Sequence, residues 1–135
     1  MRHISFRLKP GELLKESIER VVAENGILAG CVLSLVGSLD VTVLRMADAT
    51  AGNQPVKKWH EPMEIVSGTG TVSTNGCHIH VSVADKNGVV HGGHLKDGCV
   101  VKFTVEASLL IFEDTQFIRE FDAETGFSEL RVSQD

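Results

Sequence analysis

Apolar positions recur with a helical period only once in this chain, between Gly11 and Asn25. There Leu14, Ile18, Val21 and Val22 form one stripe, while Glu12, Lys15, Glu16, Glu19 and Arg20 fall elsewhere. Asn25-Gly26 follows the last turn and supplies the left-handed stop that ends a helix. The spacing predicts an amphipathic helix over 11–25, packed by its stripe on another layer. Ahead of it, residues 3–8 alternate as a strand does, and Pro10-Gly11 ends that strand.

After Gly26 the period changes to that of strands and stays there. Segments 31–36 and 39–46 read as two strands separated at Gly37-Ser38. Residues 47–60 are small, polar and turn-rich, and read as a long loop. Further strands are predicted over 63–73, 77–84, 89–91, 99–112 and 117–121. Valine dominates this half, as suits a pleated surface, and Asn75-Gly76 and Asn87-Gly88 are hairpin signals between such runs. The pattern predicts an α+β fold: a mainly antiparallel sheet flanked by one or two helices, built as a single domain over 1–135.

Composition changes this picture little. At 135 residues, with 42% hydrophobic and 23% charged residues, the chain has the make-up of a globular domain with its own core. Its apolar runs are only a few residues long, against roughly 20 for a membrane helix, so no membrane association is expected. The polar start MRHISFRLKPGELL has no secretory apolar core, which leads to a cytoplasmic expectation. Cys31, Cys77 and Cys99 form no CxxC pair and read as small apolar fillers.

Charge bears on function. With 13 Lys and Arg against 18 Asp and Glu, the formal charge is −5, and only Lys57-Lys58 form a basic doublet. Direct nucleic-acid binding usually needs a basic face, so unaided DNA contact is disfavoured. Gly68-Thr69-Gly70 is followed by no lysine and opens no helix, so it is not a phosphate loop. No G-x-S-x-G elbow occurs either.

The distinctive chemistry lies in Cys77-His78-Ile79-His80-Val81-Ser82-Val83-Ala84. Strand alternation puts Cys77, Ile79, Val81 and Val83 on one apolar side and His78, His80, Ser82 and Ala84 on the other. Two imidazoles at i and i+2 can converge on one ion, and a neutral imidazole nitrogen is a good zinc ligand. A third imidazole would come from His91 or His94, returned beside that strand by the Asn87-Gly88 turn. A connection of two or four residues places His91 opposite Ala84 or Ser82, on the histidine face. In a regular strand His94 then falls on the other face, unless Gly92-Gly93 admits a bulge that re-aims it. Pattern alone slightly prefers His91. Three imidazoles without a carboxylate would leave one coordination position open.

Taken in order, several segments resemble one known family nearly end to end. They are Arg7-Leu8 with Pro10-Gly11-Glu12, Gly37-Ser38-Leu39, and Glu64-Ile65-Val66-Ser67-Gly68-Thr69-Gly70. His78-Ile79-His80 with Asp85 and Gly88, then Gly92-Gly93-His94-Leu95, and Phe117-x-Arg119 through Asp122-x-x-Thr125-Gly126 to Leu130 complete the set. The chain resembles the plants and prokaryotes conserved (PPC) domain, which accompanies AT-hook motifs in plant nuclear proteins and stands alone in many bacteria and archaea. The resemblance implies an antiparallel sheet flanked by helices, a homotrimer, and a DNA-binding role. It also implies His78, His80 and His94 as metal ligands, with His91 at a variable position, and Glu64 as an interface residue. The plant proteins' basic Arg-Gly-Arg-Pro hook is absent. The expectation is therefore a trimeric regulatory or ligand-binding module with a zinc site, reaching DNA through a partner. The alternatives are a metal-dependent hydrolase of a small substrate, and an assembly protein whose histidines merely cover a polar face.

Overall fold

The computed structural model describes residues 1–134. Strand β1 (Arg2–Leu8) is followed by the helix α1 (Leu14–Glu24), and the rest of the described chain is strands and turns. Three helical residues expected at the start of α1 are not helical. Gly11 instead donates its N–H to the Val101 carbonyl and Leu13 bridges Val100, so the approach to the helix is stitched to the sheet. Three of the four predicted stripe residues, Leu14, Ile18 and Val22, are buried against the sheet, while Val21 sits half-buried at the stripe's edge.

Strand β2 (Ala29–Arg45) is one element where two were expected. Its pairing with β7 (Val100–Ile111) shifts register between Val32 and Ser34, between Gly37 and Leu39, and between Leu39 and Val41. Such bulges bend and twist a strand without ending it, which is why Gly37-Ser38 does not separate two elements. The strand β3 (Val56–Trp59) lies inside the predicted long loop and pairs with residues 42–45 of β2.

Strands β4 (Met63–Ser73), β5 (Gly76–Ala84) and β6 (Val90–Leu95) continue the antiparallel sheet. Its order is β1-β7-β2-β4-β5-β6, with β3 on β2. β6 also pairs back to β2 through Leu44↔Leu95 and Arg45↔His94, closing a circuit β2-β4-β5-β6-β2. Closure demands close backbone approach at Gly93. A Cβ there would stand 2.8 Å from the Arg45 carbonyl oxygen and 3.1 Å from the Leu44 side chain, so a larger residue would push β6 off β2.

The last two strands, β8 (Thr115–Phe121) and β9 (Ser128–Gln134), form a separate antiparallel hairpin. β9 was not predicted. It carries a mostly exposed, largely polar run with no alternation of the kind that marks a strand. β8 is anchored to the main sheet where Phe117 donates its N–H to the Leu28 carbonyl. The Asn75 side chain adds a clamp on Arg119, donating to its carbonyl at 2.9 Å and accepting from its N–H at 2.8 Å.

Candidate metal centre

On β5, Ile79, Val81 and Val83 enter the core, and His78 and His80 take the opposite face, as alternation requires. Cys77 turns away from the histidines. Its thiol lies 3.6 Å from a Glu19 carboxylate oxygen and is pushed up to about 12 by burial and then by that charge, which makes it inert.

The third imidazole is His94, by a route different from the one expected. Ala84 pairs with Val90, so five residues (85–89) separate the paired strands. An odd connection reverses the parity of an even one: His94 stands opposite His80, and His91 opposite Val83. The turn is built for that length. The Asp85 carboxylate accepts from the N–H groups of Asn87 and Val89, and Gly88 takes φ +77°. No register shift occurs at Gly92-Gly93, so the expected bulge is absent and the glycines serve the β6–β2 approach instead. His91 points to the far end of the hairpin, where its Nε2 lies 3.1 Å from Asp85 and its ring lies against Trp59.

His78, His80 and His94 therefore gather in one place, their potential ligand nitrogens all within 4.8 Å of one another. The Nε2 atoms of His78 and His80 are 3.0 Å apart. Two nitrogens bound tetrahedrally at ordinary zinc distances would be about 3.3 Å apart, so this donor pair suits such an ion with little movement. No carboxylate joins the group among the described residues.

The surroundings favour the neutral form of His78 and His94. Burial, and then the neighbouring His80, holds His78 below the usual histidine range. His94 is pushed down to about 3, first by burial and then by the Arg45 guanidinium and the other two histidines. Arg45 Nη2 donates to His94 Nδ1 at 3.3 Å. Neutral imidazoles offer lone pairs to a cation, and mutual repulsion of their protonated forms favours metal over protons at this point. Glu64, expected at an interface, is exposed on β4 away from this cluster, between Ser38 and Ala84 in the sheet.

Beside the cluster opens a cleft of about 400 Å³ that reaches from His78 and His94 to Arg119, Phe127 and Glu129 of the tail hairpin. No local pattern in the sequence points to Arg45, and Arg119 stands out there only within the Phe117-x-Arg119 family segment. Neither belongs to a local motif; strand closure brings one to the histidines and the Asn75 clamp brings the other.

The family model of the Plants and Prokaryotes Conserved (PCC) domain matches residues 1–113. A Synechococcus protein named bifunctional protein GlmU is 39% identical over 127 residues, covering 94% of this chain but only 20% of that relative. The chain thus spans about a fifth of the length of this curated relative. Among solved structures, a hypothetical protein from Salmonella enterica superposes with a TM-score of 0.91 at 31% identity, covering 98% of this chain and 94% of its own. A metal-containing protein from Archaeoglobus fulgidus gives 0.85 at 33% identity, covering 96% and 92%.

Proposed function

The chain belongs to the Plants and Prokaryotes Conserved (PCC, also written PPC) domain family, and we propose that it is a regulatory, ligand-binding module built around a zinc ion held by His78, His80 and His94. The observation that carries this reading is the convergence of three imidazoles from two neighbouring strands, with no carboxylate in the group among the described residues. A structural zinc site usually has four protein ligands, whereas three leave a position open to an exogenous ligand. The relative described as metal-containing supports a metal in this fold at 33% identity. Bound there, zinc supplies an electrophilic position. The chain's own part is to hold the three imidazoles together, His78 and His94 in their neutral form, and to wall the position with the adjoining cleft.

The test is metal analysis of the purified protein against His78→Ala/His80→Ala. Wild type should hold about one zinc per chain and the double variant none. Equal metal content in both would sink the site.

Assembly as a homotrimer belongs to the same reading. Val36, Val66 and Phe103 are 50%, 58% and 64% exposed around the point where Gly37 pairs with Ile65 and Val105. Apolar side chains so exposed on strands support an interface with further copies. A sedimentation mass of one chain would contradict it. DNA contact, with a −5 charge and no basic hook, would run through a partner; direct binding at low salt in a gel-shift series would overturn that. The hydrolase alternative is weaker: a three-imidazole zinc would activate water by itself, but hydrolysis also calls for a free acid to protonate the leaving group. Of the two carboxylates in the cleft, Glu129 accepts from Thr125 Oγ1 and Glu19 pairs with Lys15.

A further inference from the structure

The cleft beside the histidines is cationic in a chain that is acidic overall. Arg45, Lys96 and Arg119 line it, and none of the three forms an ion pair with a carboxylate among the described residues. Only Lys15, at the cleft's far wall, is neutralised, by Glu19 and Asp97 at 2.9 Å each. A partly buried guanidinium without a counter-ion is costly unless something supplies the charge.

The hydrogen-bond partners these arginines do have are neutral, and the Glu129 carboxylate, which lines the same cleft and acts on Arg119 across it, forms no ion pair with either. Arg45 reaches Gln54 Oε1 and His94 Nδ1 at 3.3 Å each and lies 5.0 Å over the Phe127 ring. Arg119 donates from Nη2 to Thr71 Oγ1 at 2.6 Å, while its buried Nε finds no acceptor. Thr71 pairs with His78 across β4–β5. One guanidinium thus stands next to His78 and the other next to His94.

The Arg45–His94 contact also excludes metal on simple valence grounds. A neutral imidazole has one lone pair available in the ring plane. If metal takes it at Nδ1, Arg45 loses its acceptor there. If metal binds at Nε2, the proton moves to Nδ1 and again no acceptor remains. Metal binding therefore releases an Arg45 donor into the cleft.

Resting on the zinc reading above, we infer that the cleft binds a small organic oxyanion, its carboxylate or phosphate group held between Arg45 and Arg119 and completing the metal's open position. Guanidinium forks match both acid groups bidentately. A cleft of about 400 Å³ admits a small metabolite. Anion and metal binding are positively coupled, since each relieves a charge the other leaves behind.

Isothermal titration calorimetry on the zinc-loaded full chain tests this, with malonate and inorganic phosphate as separate probes and zinc content measured first. At least one probe should bind saturably. Arg45→Met or Arg119→Met should weaken it by about tenfold or more with zinc retained, and zinc removal should weaken it about tenfold. Preference for malonate assigns the site to organic acids, and preference for phosphate to phosphorylated ones. Should a methionine variant fail to fold by circular dichroism, Arg119→Lys keeps the charge, loses the fork, and should still weaken binding. Zinc-loaded protein that binds neither probe, or arginine variants that bind as wild type does, would overturn the inference while leaving the metal site standing. A wild type that takes up no zinc would overturn the reading on which it rests.

Discussion

The β5–β6 hairpin carries histidines at both ends and uses them in opposite ways. At the turn end, His91 contacts the Asp85 carboxylate at 3.1 Å, and that carboxylate also accepts two backbone N–H groups of the turn. At the other end, among the described residues, His78, His80 and His94 hydrogen-bond to no carboxylate and meet one another and Arg45, with Glu129 no closer than the adjoining cleft. A histidine hydrogen-bonded to a carboxylate that also binds the turn backbone braces structure. Three histidines without one are better served by a shared cation. Proximity of imidazoles alone does not separate these roles; the counter-charge does.

The largest expected effect sets the two ends directly against each other. His94→Ala should weaken zinc binding by at least about 100-fold, since it removes a proposed ligand rather than a supporting contact. His91→Ala should leave zinc stoichiometry unchanged. Competition with a chromophoric chelator measures both, and an equal loss in the two variants would erase the distinction.

Acid should separate the ends next. His78 and His94 have folded values below the unfolded one of about 6.5. Above that pH the zinc-free chain binds no proton at these rings in either state. As pH falls below about 6.5, the unfolded chain takes protons that the folded cluster refuses, so stability declines progressively toward the folded value. Asp85 is held low chiefly by the His91 hydrogen bond and then by the Asn87 N–H, and its contribution is kept until pH falls below about 4. Thermal midpoints of zinc-free protein should therefore drop between about pH 7 and pH 5. His78→Ala/His94→Ala should flatten that slope, and a slope unchanged by the variant would contradict the assignment.

Smaller effects test the supports. Asn75→Ala removes two hydrogen bonds to the Arg119 backbone and should cost about 1–2 kcal/mol in a denaturant melt. Zinc should remain, and oxyanion affinity should fall as Arg119 loosens. Asp85→Ala should lower the thermal midpoint slightly and leave zinc content untouched; loss of zinc would show that the two ends are not separable.

Alternation along 77–84 was enough to send Ile79, Val81 and Val83 to the core and both histidines of β5 outward, because the side-chain period of a strand is a local property. The helix stripe Leu14, Ile18 and Val22 was legible for the same reason. His94 was reached through resemblance, not through local pattern, since its face depends on the count of residues in a turn. Asp85 and Gly88 set that count, and an even connection was as admissible on paper as the observed five residues. The long β2 was divided because a bulge and a break look alike in one dimension.

What the sequence by itself determined is the helix, most of the strands, and the pair His78–His80. Resemblance pointed to His94, but only tertiary structure brings it beside them and gathers in their cleft two arginines without an ion pair among the described residues. Arg45 arrives by closure of β6 onto β2, and Arg119 by the docking of a tail hairpin on Asn75. Both contacts join residues more than 40 positions apart, and such long-range registers are set by packing and charge that no local period records.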